Sequence, residues 1–229
     1  MVKTPGAARE ITGFLVEAGT PGMTVGRPEQ KMGQHGAPIC DVVFDDCFVS
    51  NDAILGGKPG TGFSAAMAGL DRGRLFIAAL CVGLAYRIVE DAADYALQRN
   101  QFGQPIAKFQ LIQALLADSL TETYGAEGMV RNAARKADLG ETITCDASMC
   151  KLYATEMVGR VADRALQVHG GNGYMADYMI EQIYRDVRVL RIYEGSTQIQ
   201  QLIIAKQLFD RRDRGLPLSS SPDPISTHL

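Results

Sequence analysis

The chain has 229 residues, 46% hydrophobic and 21% charged, with 23 basic against 26 acidic side chains and a net charge of −3. That balance gives no electrostatic footprint for nucleic acid or an anionic membrane, and no apolar run is long enough to read as a transmembrane helix or an export signal. Five cysteines without a C-x-x-C pair, and three histidines (His35, His169, His228) without zinc-type spacing, argue against a disulfide framework and a metal site and for a reduced, cytoplasmic compartment.

Residues 11 to 55 carry short β-type runs, "FLVEA" (14–18), "MTVG" (23–26) and "ICDVVFDDCFV" (39–49), separated by the turn clusters "GTPG" and "MGQHGAP". In the third run Val42, Phe44 and, after a break at Asp45 and Asp46, Phe48 predict a half-buried strand. "LGGKPGTG" (55–62) ends this pattern. From 61 the period becomes helical: Phe63, Met67, Leu70, Ile77, Leu80, Leu84, Ile88 and Tyr95 predict one long amphipathic helix. A second helix over 106–138 has the stripe Phe109, Ile112, Leu116 and Leu120. A third, over 142–168, packs Met149, Tyr153, Met157, Val161, Ala165 and Val168 as core, and "HGGNG" (169–173) stops it. Shorter helices follow at 177–190 and 196–211.

The fold class is therefore mainly α: an antiparallel helical bundle over 58–211, preceded by a partial β-domain over 1–57 and followed by a disordered Pro- and Ser-rich tail over 212–229. A few strands cannot bury both faces of a sheet, so the β part reads as incomplete.

Between Ile192 and Ala205 the one charged side chain is Glu194. A carboxylate starved of water becomes a stronger base, and the adjoining Gly195 lets a substrate come close. The plainer account is that Glu194 precedes a helix capped by Ser196 or Thr197, where a negative charge suits the helix dipole; the two accounts are compatible. "GLDRGR" places Asp71 and Arg74 at i, i+3, the spacing of a solvated ion pair. "QRNQFGQPIAKFQ" (98–110) sets Arg99, whose planar fork suits a diphosphate, beside Gly103; taken alone, the stretch reads first as an interhelix turn with an incidental arginine. "QVHGGNGY" (167–174) is a helix stop rather than a G-x-G-x-x-G phosphate loop, with His169 in a structural role. Arg185, Arg188 and Arg191 recur every third residue as an ion-pairing face.

Taken together and in order, "FLVEAGTPGMTVGRPEQKMG", "QRNQFGQPIAKFQ", "QVHGGNGYMADY" and "IYRDVRVLRIYEGSTQIQ" resemble the flavin-dependent acyl-CoA dehydrogenases over residues 11–209. The resemblance implies α,β-dehydrogenation of a short- or medium-chain, possibly branched, acyl-CoA, with Glu194 of the "YEG" motif taking the α-proton and hydride passing to FAD. It implies that Tyr193, Gly195, Asp71 and Arg74 line the substrate pocket. Arg99, Phe102 and Gln110 would bind the FAD pyrophosphate of a neighbouring subunit, Gln167, Gly170 and Gly171 its adenosine half, and Thr197 and Gln198 would face the flavin. Some members carry the base on the first bundle helix in a "D-x-E-R" motif; the matching residue here is Gly73, which points to the short-, medium- and branched-chain type. The implied partners are the acyl-CoA, an electron-transferring flavoprotein and further copies of the chain in a dimer or tetramer, with no metal, nucleic acid or membrane.

The family's "T-E-P-x-A-G-S-D"-like loop and "W-I-T-N"-like strand do not occur, and there is no tryptophan. The sequence is thus expected to be the carboxyl-terminal part of such an enzyme, with weak FAD binding on its own. Two rivals are an acyl-CoA oxidase, which would hand electrons to oxygen, and a catalytically silent helical scaffold without FAD.

Overall fold

The computed structural model describes residues 1–3 and 11–218. It divides into two compact units, Met1–Leu70 and Asp71–Leu229. The expected tail from 219 onward, with His228, lies outside the described residues.

In the first unit β1 (Val2–Lys3) pairs antiparallel with β2 (Ile11–Thr12), and β3 (Met23–Val25) with β4 (Val42–Phe44). The register Met23↔Phe44 and Val25↔Val42 confirms two of the expected runs, though the third shrinks to three residues. "FLVEA" is not a strand: Phe14 makes a single bridge to Ile54, and Leu15 bonds the Ala53 carbonyl beside a short 3-10 turn at Asn51–Ala53. Nor are Val42, Phe44 and Phe48 half-buried, for all three are exposed. A two-stranded ribbon lacks a second layer to cover either face.

Helix α1 (Gly62–Gln98) begins in the first unit and runs on into the second. There it is followed by a two-residue hairpin, β5 (Asn100–Gln101) with β6 (Gln104–Pro105), then α2 (Gln110–Asp138), α3 (Thr144–His169), α4 (Met179–Val187) and α5 (Thr197–Asp213). Side-chain bonds give the directions. Lys136 pairs with Asp146 while Glu122 pairs with Arg160 and Arg164, so α2 and α3 are antiparallel. Asp71 meets Thr144 and Tyr95 meets His169, so α1 and α3 run parallel. Helix α3 is the centre, packing on α2, α4 and α5.

The core is built from smaller residues than the periodicity suggested. On α1 the fully buried positions are Ala78, Cys81, Ala85, Ile88, Ala92 and Ala96, whereas Leu80 and Phe63 are about half exposed. On α2 Leu120 is likewise exposed, and Ser119, Thr123, Ala126 and Ala133 go inside. Small side chains let helix axes approach closely, so the seam follows alanine and the larger groups project from it. The buried hydroxyls cost little because they are satisfied locally: Ser119 donates to the Leu115 carbonyl and Thr123 to that of Ser119, four residues back. The α3 stripe matches expectation at Met157, Val161, Ala165 and Val168; Met149 alone is turned outward.

Candidate active site and cofactor cleft

Glu194 lies in the loop between a 3-10 turn (Arg188–Arg191) and α5. Its φ is +55° and that of Gly195 is +88°, so two consecutive residues are left-handed. A non-glycine residue there is strained by roughly 1–3 kcal/mol and persists only where its surroundings hold it. The bend turns the carboxylate onto α1. A methyl group on Gly73 would sit 2.6 Å from Glu194 Oε2. The carboxylate and any side chain at 73 therefore compete for one space, and glycine gives it to Glu194.

The capping account of this loop is corrected. Ser196 occupies the N-cap position of α5 without a side-chain cap bond, and the Thr197 hydroxyl donates to Glu156 Oε1 at 2.7 Å. Also corrected is the isolation of Glu194 from cations. In space α3 brings the Lys151 ammonium to the same loop, where it bonds the main chain of the next residue. Lys151 is fully buried, and its Nζ donates to the Gly195 carbonyl at 2.7 Å. Burial holds its pKa below the ordinary lysine value, against the opposing pull of the Cys81, Glu156 and Glu194 charges. Gln200, also fully buried, donates from Nε2 to the Glu194 carbonyl at 3.2 Å and the Gly195 carbonyl at 2.9 Å.

Asp71 and Arg74 form an ion pair at 2.9 Å, yet not the solvated pair that their spacing alone would give: their side chains are 18% and 7% exposed. Thr144 of α3 donates to the second Asp71 oxygen. Both Asp71 oxygens are thus engaged, which fixes the Arg74 guanidinium, whose buried Nε has no hydrogen-bond partner among the described residues. Tyr193 is half-buried against the core.

A separate cleft of about 770 Å³ opens where α1 ends and α3 stops. Arg99, Phe102, Gln110, Gly170 and Gly171 line it, so five of the expected cofactor residues are brought together. Phe102 is held at φ +53° with its ring 92% exposed, lying edge-on to Phe109 at 6.0 Å. The floor is packed by His169, which stacks on Tyr95 at 4.2 Å and binds the Ala165 carbonyl through Nδ1. Gln167, Thr197 and Gln198 do not line this cleft. A guanidinium and open glycine backbone can donate to a diphosphate and an exposed aromatic face can stack on a base, so the residues fit the adenosine diphosphate half of FAD. At ~1.5 Å rise per residue, Gly73 and Tyr95 are about 33 Å apart along α1, so the Glu194 loop and the cleft are well separated along the helix.

Of the three arginines expected on one face, Arg185 pairs with Glu181 and Arg191 with Glu156. Among the described residues no group of three His, Cys, Asp or Glu side chains is placed to hold a metal ion, and no helix is long and apolar enough to cross a membrane. All five cysteines are free thiols. Sequence reasoning missed Lys151, Gln200, Glu156 and Thr144. Lys151 had a signal: it falls four residues after Ala147 and three before Ala154, on the apolar face of its helix.

The bundle thus carries a strained acidic loop against α1 and, further along that helix, an open cleft lined by an arginine, an aromatic ring and two glycines. Residues 60–209 match the family described as "Acyl-CoA dehydrogenase, C-terminal domain". The chain is 46% identical over 198 residues to the 3-(aryl)acrylate reductase of Clostridium sporogenes, covering 86% of this chain and 52% of that protein. It is 40% identical over 203 residues to the caffeyl-CoA reductase-Etf complex subunit CarC of Acetobacterium woodii, covering 89% and 53%. The butyryl-CoA dehydrogenase structure from Megasphaera elsdenii superimposes with a TM-score of 0.87 at 38% identity, over 91% of this chain and 54% of that one. The chain belongs to the acyl-CoA dehydrogenase family, and it spans about half the length of these relatives.

Proposed function

We propose that the chain carries the base-bearing bundle of a flavin-dependent enzyme that interconverts an acyl-CoA and its α,β-unsaturated thioester, with Glu194 as the base. The observation that carries this reading is the Glu194 carboxylate held against Gly73 by a left-handed backbone. Removing an α-proton from a thioester needs a carboxylate fixed at the reacting carbon and shielded from water. Glu194 is half-buried, and its loop is tied down through main-chain carbonyls, which leaves the carboxylate oxygens available to the substrate. In the oxidising direction Glu194 takes the proton from Cα as the Cα–H bond breaks and the Cα–Cβ double bond forms, while hydride leaves Cβ. FAD, when bound, supplies the acceptor for that hydride.

Arg74, fixed by Asp71, and Tyr193 and Gly195 are the residues next to this carboxylate in chain or space, and they are proposed to line the acyl thioester pocket. Arg99, Phe102, Gln110, Gly170 and Gly171 are proposed to hold the adenosine diphosphate half of FAD. The Glu194 carboxylate over Gly73 and the cleft beside Tyr95 are about 33 Å apart along α1. The FAD at a given cleft is therefore proposed to serve the base of another copy, in a dimer or tetramer. Exposed Phe76, Leu111, Leu202 and Phe209 supply apolar surface for that association. Gln167, Thr197 and Gln198 are proposed to meet cofactor only in such an assembly. The relative that forms an Etf complex supports an electron-transferring flavoprotein as redox partner.

Two of the relatives bear the name reductase, which favours reading the same site in the reverse direction as well: Glu194, protonated, returns its proton to Cα as hydride arrives at Cβ. Glu194→Gln in the assembled flavoenzyme tests the assignment. Turnover is expected to vanish in both directions while flavin stays bound; retained turnover would move the base elsewhere. Peroxide release under air would turn the reading toward an oxidase.

A further inference from the structure

Two buried side chains converge on one main-chain atom. The Gly195 carbonyl oxygen accepts from Lys151 Nζ at 2.7 Å and from Gln200 Nε2 at 2.9 Å, and Gln200 also reaches the Glu194 carbonyl at 3.2 Å. Lys151 and Gln200 are both 0% exposed, and Lys151 is the largest of the fully buried side chains. Burying an ammonium is costly unless a partner compensates it, and Lys151 makes no ion pair among the described residues. An apolar residue of the same size would fill that place in α3 at lower cost. What the ammonium supplies, and methionine would not, is a strong donor aimed at a carbonyl.

That carbonyl belongs to the strained turn. With φ at +55° for Glu194 and +88° for Gly195, the loop relaxes unless something outside it fixes its peptide groups. Two donors from different helices, α3 and α5, fix one of them from two directions. The packing is close: a methyl group on Gly195 would lie 2.6 Å from Gln200 Nε2, so the carboxamide rests directly on the turn. From the peptide so fixed, the Glu194 side chain leaves the backbone toward Gly73.

We infer that Lys151 and Gln200 are positioning residues for the base: they hold the Gly195 carbonyl, keep the Glu194 turn left-handed and so keep its carboxylate over Gly73. This rests on the reading of Glu194 as the base. Neither residue exchanges a proton with substrate. Their effect passes through the backbone.

The test combines three variants and two readouts. Lys151→Met keeps the length and removes the donor; Lys151→Gln keeps a neutral donor; Glu194→Gln marks the base. In the purified chain labelled with carboxyl-13C glutamate, the Glu194 signal is assigned by its loss in Glu194→Gln. Lys151→Met is expected to shift or broaden that signal, and Lys151→Gln to return it toward its original position. In the assembled flavoenzyme Lys151→Met is expected to lower kcat about 100-fold, the scale of a small misplacement of a reacting group, with KM changed by less than about twofold. Lys151→Gln should recover about tenfold of that loss, since a neutral donor keeps part of the bond.

An unchanged Glu194 signal and kcat in Lys151→Met would overturn the inference, and so would equal losses in the Met and Gln variants, which would assign the effect to packing or charge. If Glu194→Gln turns over normally, the base assignment fails, while the carboxyl signal still decides the clamp. Should Lys151→Met not fold, Gln200→Met, which removes the second donor, is expected to perturb the same signal; an undisturbed signal there overturns the inference equally.

Discussion

At Glu194 a stability rule and a site geometry pull in opposite directions. Its φ of +55° suits glycine, and the structure keeps a glutamate there. Both Glu194→Gly and Glu194→Ala remove the carboxylate, but only the first relieves the backbone. The glycine variant should therefore be more stable than the alanine variant by about 1 kcal/mol, measured by urea denaturation of the chain; in ordinary helix or strand positions the order is the reverse. Gly73 is the complementary case. Gly73→Ala would place a methyl group 2.6 Å from Glu194 Oε2. The helix tolerates alanine well, so the chain should keep its stability while kcat of the assembled flavoenzyme falls by about 100-fold, read by steady-state kinetics with an acyl-CoA. Glu194 and Gly73 were both legible as sequence, one as the lone acid of its segment and the other as a gap in a recognised motif. Their competition for one space was not, since it joins residues far apart in the chain.

At the scale of helices, the periodicity placed α1, α2, α3, α4 and α5 to within a few residues because each carries several turns of signal. Its stripes do face the core, with Ile88 buried and Ile77, Leu84, Tyr95, Phe109, Ile112 and Leu116 packed against it, but it missed the small residues at the centre of the seam and wrongly included Phe63, Leu80 and Leu120. The rule rewards large apolar residues, whereas the seam selects alanine, cysteine, serine and threonine. That seam has a pH signature. Burial pushes the Cys81 thiol of α1 and the Cys150 thiol of α3 up to about 12, from 9.0. Between those values the unfolded chain has released protons that the fold retains, so this contribution is complete below about pH 9 and falls as pH rises toward 12. Lys151 acts with the opposite sign, because burial holds it below its ordinary 10.5 and the unfolded chain keeps the proton longer. Two thiols outweigh one amine. The urea midpoint should decline above about pH 9, and a Cys81→Ala, Cys150→Ala double variant should show a flatter alkaline limb.

At the scale of the molecule, the Glu194 loop and the Arg99 cleft are about 33 Å apart along α1, and on the proposed reading they serve the active sites of different copies. Because the loop and strand expected against the flavin ring do not occur in these 229 residues, the chain purified alone should be colourless and remain so after FAD is added and removed by gel filtration, which an absorbance spectrum records; a stoichiometric yellow product would contradict this. In the assembled flavoenzyme, Arg99→Ala should weaken FAD binding about tenfold, the loss of one charge-assisted bond, as followed by flavin fluorescence. The glutamine and threonine motifs read as cofactor contacts divide along the same line. Gln110 lines the cleft, whereas Gln167 does not, and Thr197 gives its hydroxyl to Glu156.

Sequence by itself determined the family and the helix order, and it singled out Glu194 and five residues of the cleft, because each is written in a local period or a contiguous motif. Only the tertiary structure decided that Lys151 and Gln200 share one carbonyl, that Thr144 of α3 takes up the second Asp71 oxygen, and that the carboxylate takes the space Gly73 leaves. Those are contacts between helices, set by the crossing of α1, α3 and α5, and packing of that kind leaves no mark in the spacing along a single chain.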